Sequence, residues 1–231
     1  MKTCDEWKQA FNLYWNNIAS GKAPGLVPYE ISRFLTDGEY SVVTMLCNGT
    51  LPKTFESTED VTSLLASLVK QGAGTLVTES VYHIVTGSSV FSLPSDFMYR
   101  TYESCVINVP GCGETEAVVV PVTQDEFWRT HRDPFKKDNR NRVLRLAYAA
   151  NNAATGASLS ETGYSELVSS CPIVSYNVRY ISRPAPIVLE NLTGGLTIDG
   201  VSTAQTCLLN EKLHPMILSE AVRLAKEAWN S

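Results

Sequence analysis

The chain has 231 residues, 44% hydrophobic and 19% charged, with a formal net charge of -5, which is enough apolar mass to build a core without a metal or a disulfide. That composition excludes disorder as the main state, and no run approaches the 18 apolar residues of a membrane-spanning helix. The opening Met1-Lys2-Thr3-Cys4-Asp5-Glu6-Trp7 has no charged-then-apolar run and no small-residue cleavage pattern. The chain is therefore expected to be made and kept in a reducing cytoplasm, with its six cysteines as free thiols.

In chain order, Thr3-x-x-Glu6 is a capping box, and Trp7, Phe11, Tyr14 and Ile18 set an amphipathic helix from about Asp5 to Ala19. Pro28 opens a second helix with Ile31, Phe34, Leu35, Val42, Met45 and Leu46 on one side, weakened at Gly38 by about 1 kcal/mol relative to alanine. The period of Val61, Leu64, Leu65, Leu68 and Val69 predicts a third helix over Thr58 to Lys70, stopped by Gly72 and Gly74. The pattern then changes to strands. Leu76 to Val85 and Val90 to Ser92 flank Gly87-Ser88; Phe97 to Val109 and Ala117 to Thr123 are joined by Pro110-Gly111-Cys112-Gly113; Val143 to Ala149 and Ile173 to Ile181 follow. Gln124 to His131 reads as a short helix or turn, and Asn151 to Ser160 as an exposed loop. Arg183-Pro184-Ala185-Pro186 ends the last strand. Ile187 to Leu189 and Leu196 to Ile198 flank a Gly194-Gly195 turn. A closing helix runs from Asn210 with Leu213, Ile217, Ala221, Leu224 and Ala228 on one face. Helices, then mostly antiparallel strands in a sheet or sandwich, then a helix make an α+β chain. The expected organisation is a single domain over 1–231, with a helical part over 1–72, a β-rich part over 75–209 and a C-terminal helix over 210–230.

Catalytic signatures are scarce. There is no GxxxxGK[ST], GxGxxG, HExxH, HxH or GxSxG, and three scattered histidines give no material for a multi-histidine metal site. Cys105 with His131 is the one nucleophile–base pairing open on paper, against the commoner role of a strand cysteine as an inert buried thiol. His214 beside Pro215 suits helix entry. Glu114 with Glu116 and Asp125 with Glu126 suit turn and helix-start positions better than a glycosidase dyad.

Charge is the exception to this plainness. Between Arg129 and Arg145 stand Arg129, Arg132, Lys136, Lys137, Arg140, Arg142 and Arg145 against only Asp133 and Asp138, a local balance of +5 that leaves -10 for the remainder. With Trp128 and Phe135 these residues are the candidate inter-subunit or channel contacts. The block can meet an acidic neighbouring protein or nucleic acid, or it can be a solvated loop. A sequence pI of 5.3 argues against a dedicated nucleic-acid binder.

Several segments, in order, carry a resemblance. They are Tyr29-Glu30-Ile31-Ser32-Arg33-Phe34-Leu35, Phe91-Ser92-Leu93-Pro94-Ser95-Asp96-Phe97-Met98-Tyr99, and Thr123-Gln124-Asp125-Glu126-Phe127 with Asp133-Pro134-Phe135-Lys136-Lys137 and Arg142-Val143-Leu144-Arg145-Leu146. Tyr180 to Leu189, around Arg183-Pro184-Ala185-Pro186, and Cys207-Leu208-Leu209-Asn210-Glu211-Lys212-Leu213-His214 complete the set. From about Tyr29 to Trp229 the chain resembles the ring or head-to-tail connector proteins of crAss-like and related bacteriophages of gut Bacteroidetes. Thr36-Asp37-Gly38 departs from that pattern, which bears on the continuity of the second helix, and Asn151 to Ser160 matches nothing in it.

The resemblance implies a structural virion protein, not an enzyme, with no catalytic residue, metal or cofactor to carry over. It implies a ring, commonly twelvefold, below the portal, extending the DNA channel of the neck and tail used in ejection. The implied partners are copies of itself, the portal protein, other tail or ring proteins and the passing genome, with no membrane. The implied location is the virion, after synthesis in the host cytoplasm. Another virion ring or adaptor module, a tail-associated hydrolase and a DNA-binding regulator are the alternative classes.

Overall fold

Reciprocal capping closes the start of the first helix. In the computed structural model of the chain, which describes residues 2–18, 25–49, 63–78, 83–148 and 163–230, the Thr3 amide donates to Glu6 Oε2 at 2.7 Å and the Glu6 amide to Thr3 Oγ1 at 3.3 Å. Helix α1 (Cys4–Ile18) follows. Its buried stripe is Trp7, Phe11 and Trp15, while Tyr14, expected on that stripe, is exposed. Positions 14 and 15 both border the stripe set by 7 and 11, and the larger indole takes the inward place.

Helix α2 (Pro28–Cys47) begins with proline in its first turn, and Glu30 Oε2 accepts from the Val27 amide at 2.9 Å. It runs unbroken through Gly38. A Cβ at Gly38 would lie 2.9 Å from the Ala221 amide nitrogen and 3.0 Å from the Ile217 carbonyl oxygen, on helix α4 (His214–Asn230). The residue that reads as a helix breaker is the point of closest approach between two helices. Helix α4 buries Leu213, Ile217 and Ala221 as expected, but Leu224 is half-buried and Ala228 exposed, with Leu218, Val222 and Ala225 buried instead. The buried face is centred on Leu218, Ala221, Val222 and Ala225, an i, i+3, i+4, i+7 set that leaves Leu224 at its border and Ala228 outside it.

Two buried hydroxyls on α2 organise the chain after residue 183. Ser32 Oγ accepts from the Leu189 amide at 3.0 Å and Thr36 Oγ1 from the Ile187 amide at 3.1 Å. Val188 between them faces the other way and exchanges both backbone bonds with Gln205 at 2.8 Å. The extended run 187–189 thus satisfies its amides without a sheet, as burial requires. One turn on, the buried Glu39 carboxyl accepts from Cys207 Sγ at 3.1 Å, and burial pushes that carboxyl up to about 8 against the opposing effect of the thiol hydrogen bond.

The chain divides into two compact units, Met1–Leu68 with Arg183–Ser231, and Val69–Ser182. Apolar runs after residue 183 read as part of the β-rich stretch, yet they fall in the helical unit. Pro184 and Pro186 stop the ladder, and α2 supplies the hydrogen bonds.

The third predicted helix, Thr58 to Lys70, falls only partly on the described residues: 58–62 lie outside them, 63–64 are helical, Ala66–Leu68 is a 3-10 turn, and Val69 already begins a strand. Pairing of Val69 and Lys70 with Ile181 and Tyr180 ends the helical period short of its predicted bound. The strands are β1 (Val69–Ala73), β2 (Thr75–Leu76), β3 (Ser89–Ser92), β4 (Phe97–Val109), β5 (Gly113–Pro121), β6 (Arg142–Tyr148), β7 (Tyr164–Val168) and β8 (Ile173–Ser182), with helix α3 (Phe127–Arg132) between β5 and β6. The long strand expected from Leu76 to Val85 reduces to β2, with residues 79–82 outside the described set and turns over 83–88. Strand β7 was not predicted, and Asn151–Ser160 lies outside the described residues.

These strands form one sheet in the order β1-β8-β4-β5-β6-β7-β3-β2, antiparallel except for β5 with β6. Its two end strands are one stretch of chain interrupted only by Gly74. The Gly74 amide donates to Tyr176 O of β8 at 2.8 Å, and Thr75 and Leu76 then pair with β3. The strand passes from one partner to the other, so the sheet closes on itself as a barrel and loses its free edges. A Cβ at Gly74 would stand 2.6 Å from the Tyr176 ring and 3.1 Å from Phe91 Cβ, so the crossover needs glycine. Inside lie Phe91, Leu93, Cys105, Ile107, Val119, Val143, Leu167, Tyr176 and Val178 among others.

Candidate functional site

The basic segment is mounted on the outside of the barrel by an aromatic anchor. Phe127 is fully buried against Leu144, Leu146 and Val168, the outward residues of β6 and β7, and stacks on His131 at 5.4 Å. That fixes α3 and leaves its other face free. Trp128 is 49% exposed, and the Arg132 guanidinium lies 5.7 Å from its ring. After α3 the chain turns tightly. The Asp133 carbonyl accepts from the amides of Lys136 and Lys137, and its carboxylate accepts from the Phe135 amide at 2.9 Å. Phe135 is left 89% exposed at the tip of this turn. Asp138 is buried, with an oxygen 3.3 Å from His131 Nδ1.

The seven cations do not form one patch. Arg129, Arg132, Lys136, Lys137 and Arg140 are exposed. Arg142 is half-buried and donates from Nη1 to the Phe135 carbonyl at 3.0 Å. Arg145 points the other way, into the barrel. Its Nε donates to Glu103 Oε1 at 2.9 Å, and each side chain is only 10% exposed. Strand alternation explains the split, since Leu144 and Leu146 face α3 while Val143 and Arg145 face inward. Around Glu103 the barrel holds a polar cluster. The Tyr176 hydroxyl donates to Glu103 Oε2 at 2.7 Å, Arg100 Nε lies 3.4 Å from the same oxygen, and Arg100 Nη2 donates to Ser165 Oγ at 2.8 Å. Burial first, then the hydrogen bond to Glu103, hold the Tyr176 hydroxyl well above its ordinary pKa.

Between the end of β5, α3 and the start of β6 opens a cleft of about 440 Å³. Val120, Pro121 and Val122 form its floor, with Arg129, Lys136 and Arg142 supplying positive charge and Glu126 and Asp133 negative charge. At the opposite end of β5 stands the hairpin turn Pro110–Gly113, where Gly111 and Gly113 adopt φ of 82° and 78°. Residues 110–114 and Glu116 are exposed. From residue 101 to 128 there is no lysine or arginine and there are five acidic residues, Glu103, Glu114, Glu116, Asp125 and Glu126. This acidic run, directly before the basic one, was legible in the sequence as a charge boundary at residue 129 and was missed.

The pairs weighed for catalysis stay apart or inert. Cys105 is fully buried inside the barrel, where burial pushes its thiol up to about 11, while His131 sits on α3 against the outer face. His214 is buried at the start of α4 against Trp7, with ring centroids 4.9 Å apart. Glu114 and Glu116 are solvent-facing on the hairpin. Among the described residues no group of three or more His, Cys, Asp or Glu is placed to hold a metal ion, and no helix is long and apolar enough to cross a membrane.

A family model described as phage tail ring protein 3/4 matches residues 1–231. The chain belongs to that family. Ring protein 3 of Bacteroides phage crAss001 is 33% identical over 229 residues, covering 96% of this chain and 94% of the relative. Ring protein 4/5 of the same phage is 32% identical over 235 residues, covering 97% of this chain and 92% of the relative. As a member of the phage tail ring protein 3/4 family it is a bacteriophage structural protein. The family match spans both units, so the barrel, the cleft and the hairpin all lie within the matched residues.

Proposed function

We propose that this chain is a non-enzymatic subunit of a closed ring in the neck or tail of the virion. It stacks close to the portal and surrounds the channel through which the genome passes during ejection. The single observation that carries the reading is the match of a tail ring family across the whole chain, together with relatives called ring proteins that align over nearly their full length. The placement of charge supports it. A subunit with a cationic face at one end of a strand and an acidic face at the other is suited to heterologous contacts, which close into a ring when the rotation per copy allows. Twelve copies is the proposed count, and the portal and other tail or ring proteins are the proposed axial neighbours. Trp128, Phe135 and the exposed cations Arg129, Arg132, Lys136, Lys137 and Arg140 are the proposed contact set. Arg145, held by Glu103, serves the barrel instead. Contact with DNA is transient, as suits a chain that is acidic overall.

Mass photometry of the purified chain, alone and mixed with its portal and neighbouring ring proteins, tests this. The expected result is one species at a whole-number multiple of the 25.4 kDa subunit, or a complex gaining that multiple. A chain that stays monomeric and joins none of these components overturns the proposal.

A further inference from the structure

The hairpin and the cleft lie at opposite ends of β5, Gly113 to Pro121, about 25 Å apart at roughly 3.3 Å per residue. A copy therefore cannot place its own tip in its own cleft, and the two features are complementary. The tip is narrow, because Gly111-Cys112-Gly113 carries almost no side chain, and a Cβ added at either glycine would meet nothing within 4 Å. Its shoulders are Glu114 and Glu116, with no cation nearby in sequence. The cleft, about 440 Å³, offers Pro110 and Cys112 an apolar lining of Val120, Pro121 and Val122, and its three cations, Arg129, Lys136 and Arg142, outnumber the carboxylates Glu126 and Asp133.

Building on the ring reading above, we propose that the acidic tip of the β4–β5 hairpin of one copy docks into the basic cleft of the next, and that this repeated contact closes the ring. The partner of the cleft is thus a second copy of this chain. Opposite charges select the docked register, and like-charge juxtaposition of two clefts or two tips is penalised, which favours head-to-tail over two-fold pairing.

A charge swap tests it in the full chain. One variant carries E114K with E116K, the other R129E with K136E. All four positions are exposed, so both variants are expected to keep the wild-type thermal midpoint. Each alone should lower ring yield at least about tenfold at moderate salt. An equimolar mixture should restore it, because each reversed tip then meets a reversed cleft and each native tip a native cleft. Wild-type-like rings from either variant alone overturn the hairpin-to-cleft pairing and leave the ring reading standing. Loss in both variants without recovery in the mixture also overturns the pairing. Wild-type protein that never assembles with its portal and ring partners overturns the ring reading, and the pairing with it.

Discussion

Glu103→Ala is expected to cost the β unit about 3–5 kcal/mol, enough to leave much of it unfolded at 37 °C. Among the described residues, Glu103 is the carboxylate that both Arg100 and Arg145 reach inside the barrel wall, and its second oxygen takes the Tyr176 hydroxyl. Removing it strands two cations and a phenol in a region too dry to solvate them, so the cost comes from uncompensated charge more than from lost attraction. Glu103→Gln keeps an acceptor but no charge and should fall between. Arg129→Ala, in the same basic segment but exposed, should stay within about 0.5 kcal/mol of wild type. Urea unfolding followed by tryptophan fluorescence and far-UV circular dichroism reads all three. A Glu103→Ala loss below about 1 kcal/mol would show that the cluster is solvated.

Gly38→Ala should destabilise the helical unit although helix propensity says the reverse. Propensity favours alanine by about 1 kcal/mol at an interior helical position. Against that, the new Cβ would lie 2.9 Å from the Ala221 amide nitrogen and 3.0 Å from both Ala221 Cβ and the Ile217 carbonyl oxygen. Two of those three neighbours are α4 backbone, so relief requires moving a helix, and overpacking of this sort costs about 1–3 kcal/mol. The expected balance is a net loss of order 1 kcal/mol for alanine and more for valine. The measurement is the denaturant midpoint of the two variants. An alanine variant more stable than wild type would mean that α2 and α4 do not approach this closely at Gly38.

How much of this the sequence displayed differs by element. Local signals were readable where local physics decides. The Thr3–Glu6 box and Pro28 start their helices, Pro110-Gly111-Cys112-Gly113 makes the hairpin, and β4 has the predicted bounds. Signals failed where a distant partner decides. Val69 and Lys70 continue a helical period but pair with Ile181 and Tyr180. Gly38 and Gly74 look like breaks, and each marks a close approach to a chain segment more than 100 residues away. Ser32 and Thr36 look like surface positions on α2, but they are buried to serve amides at 187 and 189. Of the candidate site, the cluster of cations was visible, but its division between surface and barrel was not. Arg145 and Arg142 differ by three in sequence and face opposite sides of β6. The acidic hairpin that matches the cleft needed the topology, because only β5 sets the two at opposite ends of one strand.

Electron microscopy of the intact particle, with local rotational averaging along the tail axis, tests the central claim most directly. It should reveal copies of this chain as a closed ring around the channel, each barrel touching the next through unlike surfaces. Copies absent from the axis, or attached singly at the periphery without closing a ring, would contradict it.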